Sequence, residues 1–448
     1  MTISPSPSAA TAAESSPGGD AGESNHRLSG GLPLVVLRRP GPAILAARLV
    51  IRGGSSRDPA NGRGAHQLLA GLMTRGCGDL DADGLADLVE GAGAGLRAEA
   101  HEDGLVVGLK CAADDAPTLL PLLLQMVRRP LLATDQLELE RQLNLQTLQR
   151  QKEDPFQLCH DQLRHLLYGQ GPYGHDPMGI EADLATINGS TLQPLVETLG
   201  REGAVLVLCG DPPAGVVELL ETELAIAPWA TRSPDASAAS VAGEGTASLG
   251  RLPQQTEQLV LMLGTPTLPM GHPDALALRI LQTHLGMGMS SRLFVVMREE
   301  RGLAYDVGVH LPARCGAAPF VMHLSTSSDR AAEACRCLLD EWQRMGEQPL
   351  EPEALELALA KFRGQEAMGR QTCSQIAERQ ALVLSHGLPA NHVETTLERA
   401  ASITTDELLN AARNWLRGPS LSLVGPATAV DAAAEAWRDH PLSRLQQP

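Results

Sequence analysis

The chain has 448 residues, enough for several domains with proper cores, and its hydrophobic share of 43% is ordinary for a globular protein. A formal net charge of −17 opposes binding to nucleic acid or to an anionic membrane, and we expect neither as a partner. Eight scattered cysteines without the paired spacing of a zinc site favour reduced thiols and a cytoplasmic protein.

The first predicted elements follow a Ser-, Ala-, Pro- and Gly-rich segment, residues 1–31, which we interpret as a disordered tail. Residues 34–37 and 44–51 predict the two strands of a hairpin, with Pro40, Gly41 and Pro42 at its turn. Further along, the apolar patterns predict helices over 65–75, 82–90, 116–127 and 134–151 and a hairpin over 96–111.

Strand-like segments then recur along the chain. Residues 105–109 and 320–324 match at an offset of about 215 residues, as do the later segments 205–210 and 421–425. This recurrence predicts an α+β fold of two homologous repeats, each a mainly antiparallel sheet with helices packed on one face. The expected boundaries are a first repeat over 32–227, a linker over 228–255, a second repeat over 256–427 and a C-terminal tail over 428–448.

The stretch from Gly53 to Pro59, followed by His66 on a helix, resembles the start of the M16 metallopeptidase family of pitrilysin, insulinase and mitochondrial processing peptidase. The family's inverted zinc motif, H-x-x-E-H, supplies two histidine ligands and a glutamate that activates the metal-bound water. A glutamate further along completes the zinc site. The resemblance implies the metallohydrolase fold of this family for residues 32–427.

The motif positions are mostly changed in this chain. His66 matches the first ligand, but Leu69 replaces the general base and Ala70 replaces the second ligand. The third ligand is expected 77 residues past position 70, where Thr147 stands. Because Leu and Ala offer no donor, we predict that the zinc site is lost, that His66 is residual, and that this chain holds no metal or cofactor. His160 and His165, five residues apart, are likewise interpreted as structural.

The second half retains a different family signature. Residues 286–294 and 298–305 resemble the segment in which an arginine and a tyrosine, seven residues apart, bind the substrate backbone in active members. Arg298 and Tyr305 match that pair, and the resemblance implies that they are substrate-binding residues. A guanidinium presents a fork of donors, and a phenol can donate to an oxyanion. The alternative is that Arg298 lies on a solvated face beside Glu299 and Glu300.

The first half departs from the family at one further place. Where members carry Asn-Ala on the edge strand that receives substrate, this chain reads Leu96-Arg97-Ala98. This difference weakens the prediction that the first half itself binds peptide by strand addition.

Three hypotheses for the function follow. The first is a non-catalytic subunit of a heterodimeric M16-type zinc metallopeptidase, which brings Arg298 and Tyr305 to the zinc of a homologous partner with H-x-x-E-H during peptide hydrolysis. This hypothesis predicts no peptidase activity from the chain alone. The second is a purely structural protein with the same fold and no role in proteolysis. The third, a zinc peptidase in its own right, would require metal ligands that the motif does not provide.

Overall fold

A computed structural model of the protein describes residues 22–230 and 245–444. Its first half contains a six-stranded sheet with strand order β1-β2-β6-β3-β5-β4. The strands are β1 (Gly22–Arg27), β2 (Pro33–Arg38), β3 (Ile44–Arg52), β4 (Gly95–Ala100), β5 (Gly104–Ala112) and β6 (Ala204–Gly210). All neighbours are antiparallel except β2 and β6, which run parallel.

Eight helices belong to the first half of the described chain. They are α1 (Ala65–Met73), α2 (Ala82–Gly91), α3 (Ala116–Arg128), α4 (Thr134–Gln151), α5 (Pro155–Tyr168), α6 (Glu181–Leu184), α7 (Gly189–Thr198) and α8 (Val216–Ile226). Asp81 caps α2 through its side chain, as the sequence predicts. Pro155 opens α5, where its missing N–H costs nothing, and the Asp154 side chain accepts from the backbone of Phe156.

The second half repeats this plan. Its five-stranded sheet has the order β7-β11-β8-β10-β9, formed by β7 (Leu249–Pro253), β8 (Gln258–Pro266), β9 (Asp306–His310), β10 (Pro319–Ser327) and β11 (Ser420–Gly425). The helices are α9 (Ala275–Gly286), α10 (Ala331–Glu347), α11 (Pro352–Met368), α12 (Cys373–Ser385), α13 (His392–Ala400), α14 (Thr405–Trp415) and α15 (Ala427–Asp439). Phe294–Glu300 adds one π-helical turn.

The predicted α+β class with two repeats is confirmed. Without β1, the first sheet has the same strand order as the second, and each sheet contains one parallel pair at the same place. Alternation along the strands explains the packing. In β8, Leu259, Leu261 and Leu263 point to the helices of their own half, while Val260 and Met262 point to the opposite face.

That opposite face is covered by a helix from the other half. Each sheet therefore has helices on both faces, and the predicted packing on one face describes only part of the arrangement. Helix α12 of the second half lies on β3 and β6 of the first, where Ala377 and Ala381 pack against Val205 and Val207. Conversely, α5 of the first half lies on β8 and β11. We call α5 and α12 the exchanged helices.

Several sequence predictions need correction. The segments around 34–37 and 44–51 are strands, but they do not form a hairpin, because β6 lies between them and pairs with both. The predicted tail over 1–31 ends too late, since Gly22–Arg27 is strand β1. The linker over 228–255 and the tail over 428–448 likewise overlap β7 and α15. Residues 1–21, 231–244 and 445–448 lie outside the described part of the chain.

None of the helices within residues 22–230 and 245–444 combines the length and the apolar composition needed to span a bilayer.

Candidate functional site

The residual histidine of the zinc motif is held by a buried aspartate. His66 lies in the first turn of α1 and is 4% exposed. Its backbone N–H donates to Asp58 Oδ1 over 3.0 Å, and its Nδ1 donates to the same oxygen over 2.7 Å. The other carboxylate oxygen of Asp58 accepts from the Gly64 N–H over 2.6 Å. Asp58 therefore binds two free N–H groups of the helix N-terminus and fixes the imidazole ring.

The backbone at the start of α1 requires glycine. Gly64 has φ of +102°, and a Cβ there would lie 2.7 Å from Leu184 Cδ2 and 2.9 Å from the Gly179 backbone. Both the left-handed conformation and the close approach exclude a side chain.

A second histidine shares the same carboxylate. His175 Nε2 lies 3.5 Å from Asp58 Oδ2, and both side chains are largely buried. Burial by itself raises the pKa of the Asp58 carboxyl, but the imidazoles of His175 and His66 outweigh it and leave that pKa below its usual value. The carboxylate is therefore the stable form at neutral pH.

The remaining positions of the zinc motif do not fit a metal ion. Leu69 and Ala70 are 0% exposed and belong to the main apolar core of the first half. Thr147 is on α4, and its hydroxyl donates to the Leu143 carbonyl of the same helix over 2.9 Å. Zinc needs at least three donors from the protein, and these positions leave His66 as the one imidazole. In zinc sites, a carboxylate on Nδ1 orients the ligand histidine, and the Asp58–His66 pair has that arrangement without the other ligands.

Restoring the second ligand by Ala70→His is expected to lower the free energy of unfolding by about 1–3 kcal/mol, because the imidazole must enter a filled core. The measurement is urea unfolding followed by far-UV circular dichroism. Thr147→Glu is the matched control on a half-buried site, where a change within about 0.5 kcal/mol is expected. An Ala70→His protein as stable as its parent would mean that position 70 borders open space.

The arginine and tyrosine of the second half lie side by side on the surface. Arg298 belongs to the π-helical turn Phe294–Glu300, and its guanidinium carbon lies 4.8 Å from the Phe294 ring centre and 5.4 Å from the Tyr305 ring centre. Tyr305 is 77% exposed. π-helical turns are rare overall, and those that do occur are often found at functional sites. The two aromatic rings hold the guanidinium by cation–π contact and leave its N–H groups free.

These polar groups have no protein partner in the described part of the chain. No side-chain hydrogen bond or ion pair there involves Arg298, so the exposed arginine lies beside Glu299 and Glu300 without pairing with either. The other two tyrosines differ, since Tyr168 donates to the Ala317 carbonyl and Tyr173 donates to Asp103. The hydroxyl of Tyr305 is thus the free phenol among the chain's three tyrosines.

Each sheet has an outer strand that could receive an extended peptide. Tyr305 immediately precedes β9, which is an outer strand of the second sheet. In the first half, β4 is one of the two outer strands, and Arg97 on it lies 3.3 Å from Glu99 and 3.7 Å from Glu378 of α12. The arginine that replaces the family's residue on this strand therefore pairs within the chain.

His160 and His165, interpreted above as structural, both lie on α5. His160 contacts the His310 ring edge-on at 6.1 Å between ring centres. Burial, with Arg164 and His310 nearby, lowers the pKa of His160 to about 4. Reasoning from sequence missed Asp58 and His175. Asp58 lies within the stretch from Gly53 to Pro59, but the motif assigns it no role. His175 has no spacing signal because it lies far along the chain.

Comparison with known families gives two matches along the chain. Residues 34–179 match the model described as insulinase, peptidase family M16, and residues 199–362 match the one described as peptidase M16 inactive domain. An uncharacterized zinc protease of Streptomyces coelicolor is 24% identical over 411 residues, which cover 89% of this chain and 88% of its own. One of Mycobacterium tuberculosis is 24% identical over 404 residues, which cover 89% of this chain and 92% of its own.

Solved structures with the same architecture include a peptidase M16 inactive domain from Pseudomonas fluorescens. It superposes with a TM-score of 0.82 at 21% identity, over 90% of this chain and 98% of that one. A protease from Helicobacter pylori gives 0.80 at 16% identity, over 91% of this chain and 100% of that one. At these identities the likeness establishes the fold and leaves the chemistry to be argued from the residues.

Proposed function

The chain belongs to the M16 peptidase family, and we propose that within it the protein is the non-catalytic subunit of a two-chain zinc metallopeptidase. The partner is a homologous M16 chain with a complete H-x-x-E-H motif, and the zinc ion is the partner's. In this assembly, Arg298 and Tyr305 bind the peptide substrate beside the partner's metal.

The observation that carries the proposal is the contrast between the two halves. Leu69 and Ala70 are sealed in an apolar core, whereas Arg298 and Tyr305 are exposed and have no polar partner among the residues the structure describes. Exposed groups ordered by aromatic contacts and left free for hydrogen bonding are what a substrate-binding pair requires.

The chemistry of peptide hydrolysis assigns each group a role. Attack of a metal-activated water on the scissile carbonyl develops negative charge on its oxygen. The Tyr305 hydroxyl is a suitable donor to that oxygen, and the Arg298 guanidinium can hold neighbouring substrate carbonyls with its fixed fork of N–H groups. Because Tyr305 leads directly into the outer strand β9, an extended peptide beside β9 would pass within reach of both groups.

The curated relatives are named zinc proteases, which favours peptide hydrolysis as the process in which this chain takes part. For this chain, a zinc site at the family motif is opposed by its own residues, since His66 has no second or third ligand at positions 70 and 147. A cytoplasmic location is part of the same proposal, because all eight cysteines are free thiols.

The test is complementation with a homologous M16 chain from the same organism that carries H-x-x-E-H. Each chain is purified alone, and cleavage of a fluorogenic peptide library is measured for each and for the equimolar mixture. We expect cleavage in the mixture, none from this chain alone, and loss of the activity with a zinc chelator. An inactive mixture that nevertheless forms a stable complex would favour the purely structural alternative, whereas activity of this chain alone would contradict the proposal.

A further inference from the structure

A second cluster of metal-binding side chains lies where the two halves meet. Asp103 is in the turn between β4 and β5, Cys315 is in the loop between β9 and β10, and His386 directly follows α12. Each offers one ligand atom, and the three atoms lie within 4.8 Å of one another. The cluster is separate from the Asp58–His66 pair and from Arg298 and Tyr305.

The histidine of this cluster is oriented for a metal. Its Nδ1 lies 2.8 Å from the Leu382 carbonyl, which can only accept, so Nδ1 carries the proton. Nε2 is then a free lone pair, and it is buried without a hydrogen-bond partner among residues 22–230 and 245–444. A backbone carbonyl on one nitrogen and an open, buried lone pair on the other is the arrangement of a metal-binding histidine. An unpartnered buried acceptor is otherwise destabilising, because it has lost its hydrogen bond to water.

The loop that carries Cys315 is fixed on both sides by the first half. The Cys315 backbone N–H donates to Asp103 Oδ2 over 2.7 Å, and Arg314 forms an ion pair with Glu102. The Gly316 N–H donates to the Tyr173 hydroxyl over 2.9 Å, and that hydroxyl donates to Asp103 Oδ1 over 2.6 Å. Asp103 and Cys315 are therefore positioned by a network that does not depend on a metal.

The ligand types and charges match a zinc ion. A thiolate, a carboxylate and a neutral imidazole together supply two negative charges and three of the four donors that zinc takes in tetrahedral sites, which leaves one position for water. Bond lengths near 2.0–2.3 Å imply ligand separations of about 3.3–3.8 Å, so closure around the ion needs shifts of about 1 Å. Arg52 lies beside the thiol and adds a positive charge, so the affinity must come from short bonds to the ligands.

We propose that Asp103, Cys315 and His386 bind one zinc ion that joins the two halves of the chain. The site differs from the sequence expectation of a chain without metal, because its ligands are far apart in sequence and form no spacing motif. It is independent of the proposed subunit role: the ion is held at the junction of the halves and takes no part in the partner's chemistry.

The test uses the full chain alone, stripped with a chelator and reloaded with Zn²⁺ or Co²⁺. We expect about one zinc ion per chain after desalting, and a near-ultraviolet thiolate-to-cobalt charge-transfer band in the cobalt form. Cys315→Ser and His386→Ala are each expected to retain no more than about a tenth of the zinc that the unchanged chain holds, while His66→Ala retains all of it. Zinc should also raise the melting temperature of the unchanged chain and of His66→Ala, but not of Cys315→Ser.

Two outcomes would overturn the proposal. One is a cobalt form of the unchanged chain without a thiolate band, a result that does not depend on any variant folding. The other is zinc lost with His66→Ala and kept with Cys315→Ser, which would place the metal at the family motif and contradict the subunit proposal as well. If the chain binds zinc as proposed but fails to complement a partner, the zinc site is supported and only the subunit role is contradicted.

Discussion

Replacing Arg298 by alanine is expected to lower kcat/KM of the mixed two-subunit peptidase by about 10²–10³-fold, the usual cost of removing one preorganised donor to the transition state. Tyr305→Phe, which removes only the hydroxyl, is expected to lower kcat with little change in KM, because the phenol donates chiefly to the developing oxyanion. Neither change should alter folding, since both side chains are exposed and make no intramolecular hydrogen bond within the described residues.

The matched control for Arg298→Ala is Arg336→Ala, which removes an exposed arginine of α10 that has no ion pair in the described chain. Its kinetic constants should equal those of the unchanged subunit. Arg298→Lys keeps the charge but not the planar fork, and we expect its activity to lie between that of the Arg298→Ala assembly and that of the unchanged assembly. Equal activity of the Arg298→Ala and Arg336→Ala assemblies would separate the exposed pair from catalysis and favour the purely structural alternative.

Asp58→Ala is expected to lower the free energy of unfolding by about 3–5 kcal/mol, the largest stability effect that we predict for a single side chain. The change deprives the N–H groups of Gly64 and His66 and the His66 ring of their acceptor, in a site where the carboxylate is fully buried. Urea unfolding at neutral pH measures the loss. Asp87→Ala, on the exposed face of α2, is the control and should stay within about 0.5 kcal/mol.

The contribution of Asp58 also has a defined pH dependence. Its pKa in the folded protein lies below its usual value, so the unfolded chain takes up the proton first as pH falls. The stabilisation is complete above the ordinary aspartate pKa of about 4 and is lost as pH drops from there through the folded pKa. The difference in stability between the unchanged protein and Asp58→Asn should shrink over that acidic range. A constant difference down to about pH 2 would show that the carboxylate charge is not what stabilises the helix start.

The sequence was sufficient for the repeat and insufficient for strand order. Strands β5 and β10 carry similar apolar runs at a fixed offset, and such a pattern can be recognised without any knowledge of packing. The neighbours β2 and β3 looked like a hairpin because the strand that separates them, β6, comes far later in the chain. Likewise, an amphipathic helix such as α12 shows that one face is buried but not which sheet will cover it.

The candidate sites divide in the same way. Leu69, Ala70, Arg298 and Tyr305 could be identified because each belongs to a local motif with fixed spacing. The contacts that determine their surroundings, such as His175 with Asp58 or Cys315 with Asp103, join residues that are remote in sequence. Such pairs follow from tertiary packing, and a single sequence carries no periodic signal for them.

The exchanged helices have a consequence for synthesis of the protein on the ribosome. The first sheet is complete once β6 has emerged, but the helix that covers its second face, α12, is still to be made. Until then, Val35, Val50, Val205 and Val207 remain open to water on a nascent chain. Exposed apolar strands in an unfinished protein are where misassembly begins and where chaperones bind. Ribosome-bound chains halted before Cys373 should therefore recruit a holdase chaperone, and release it once Ser385 has cleared the exit tunnel.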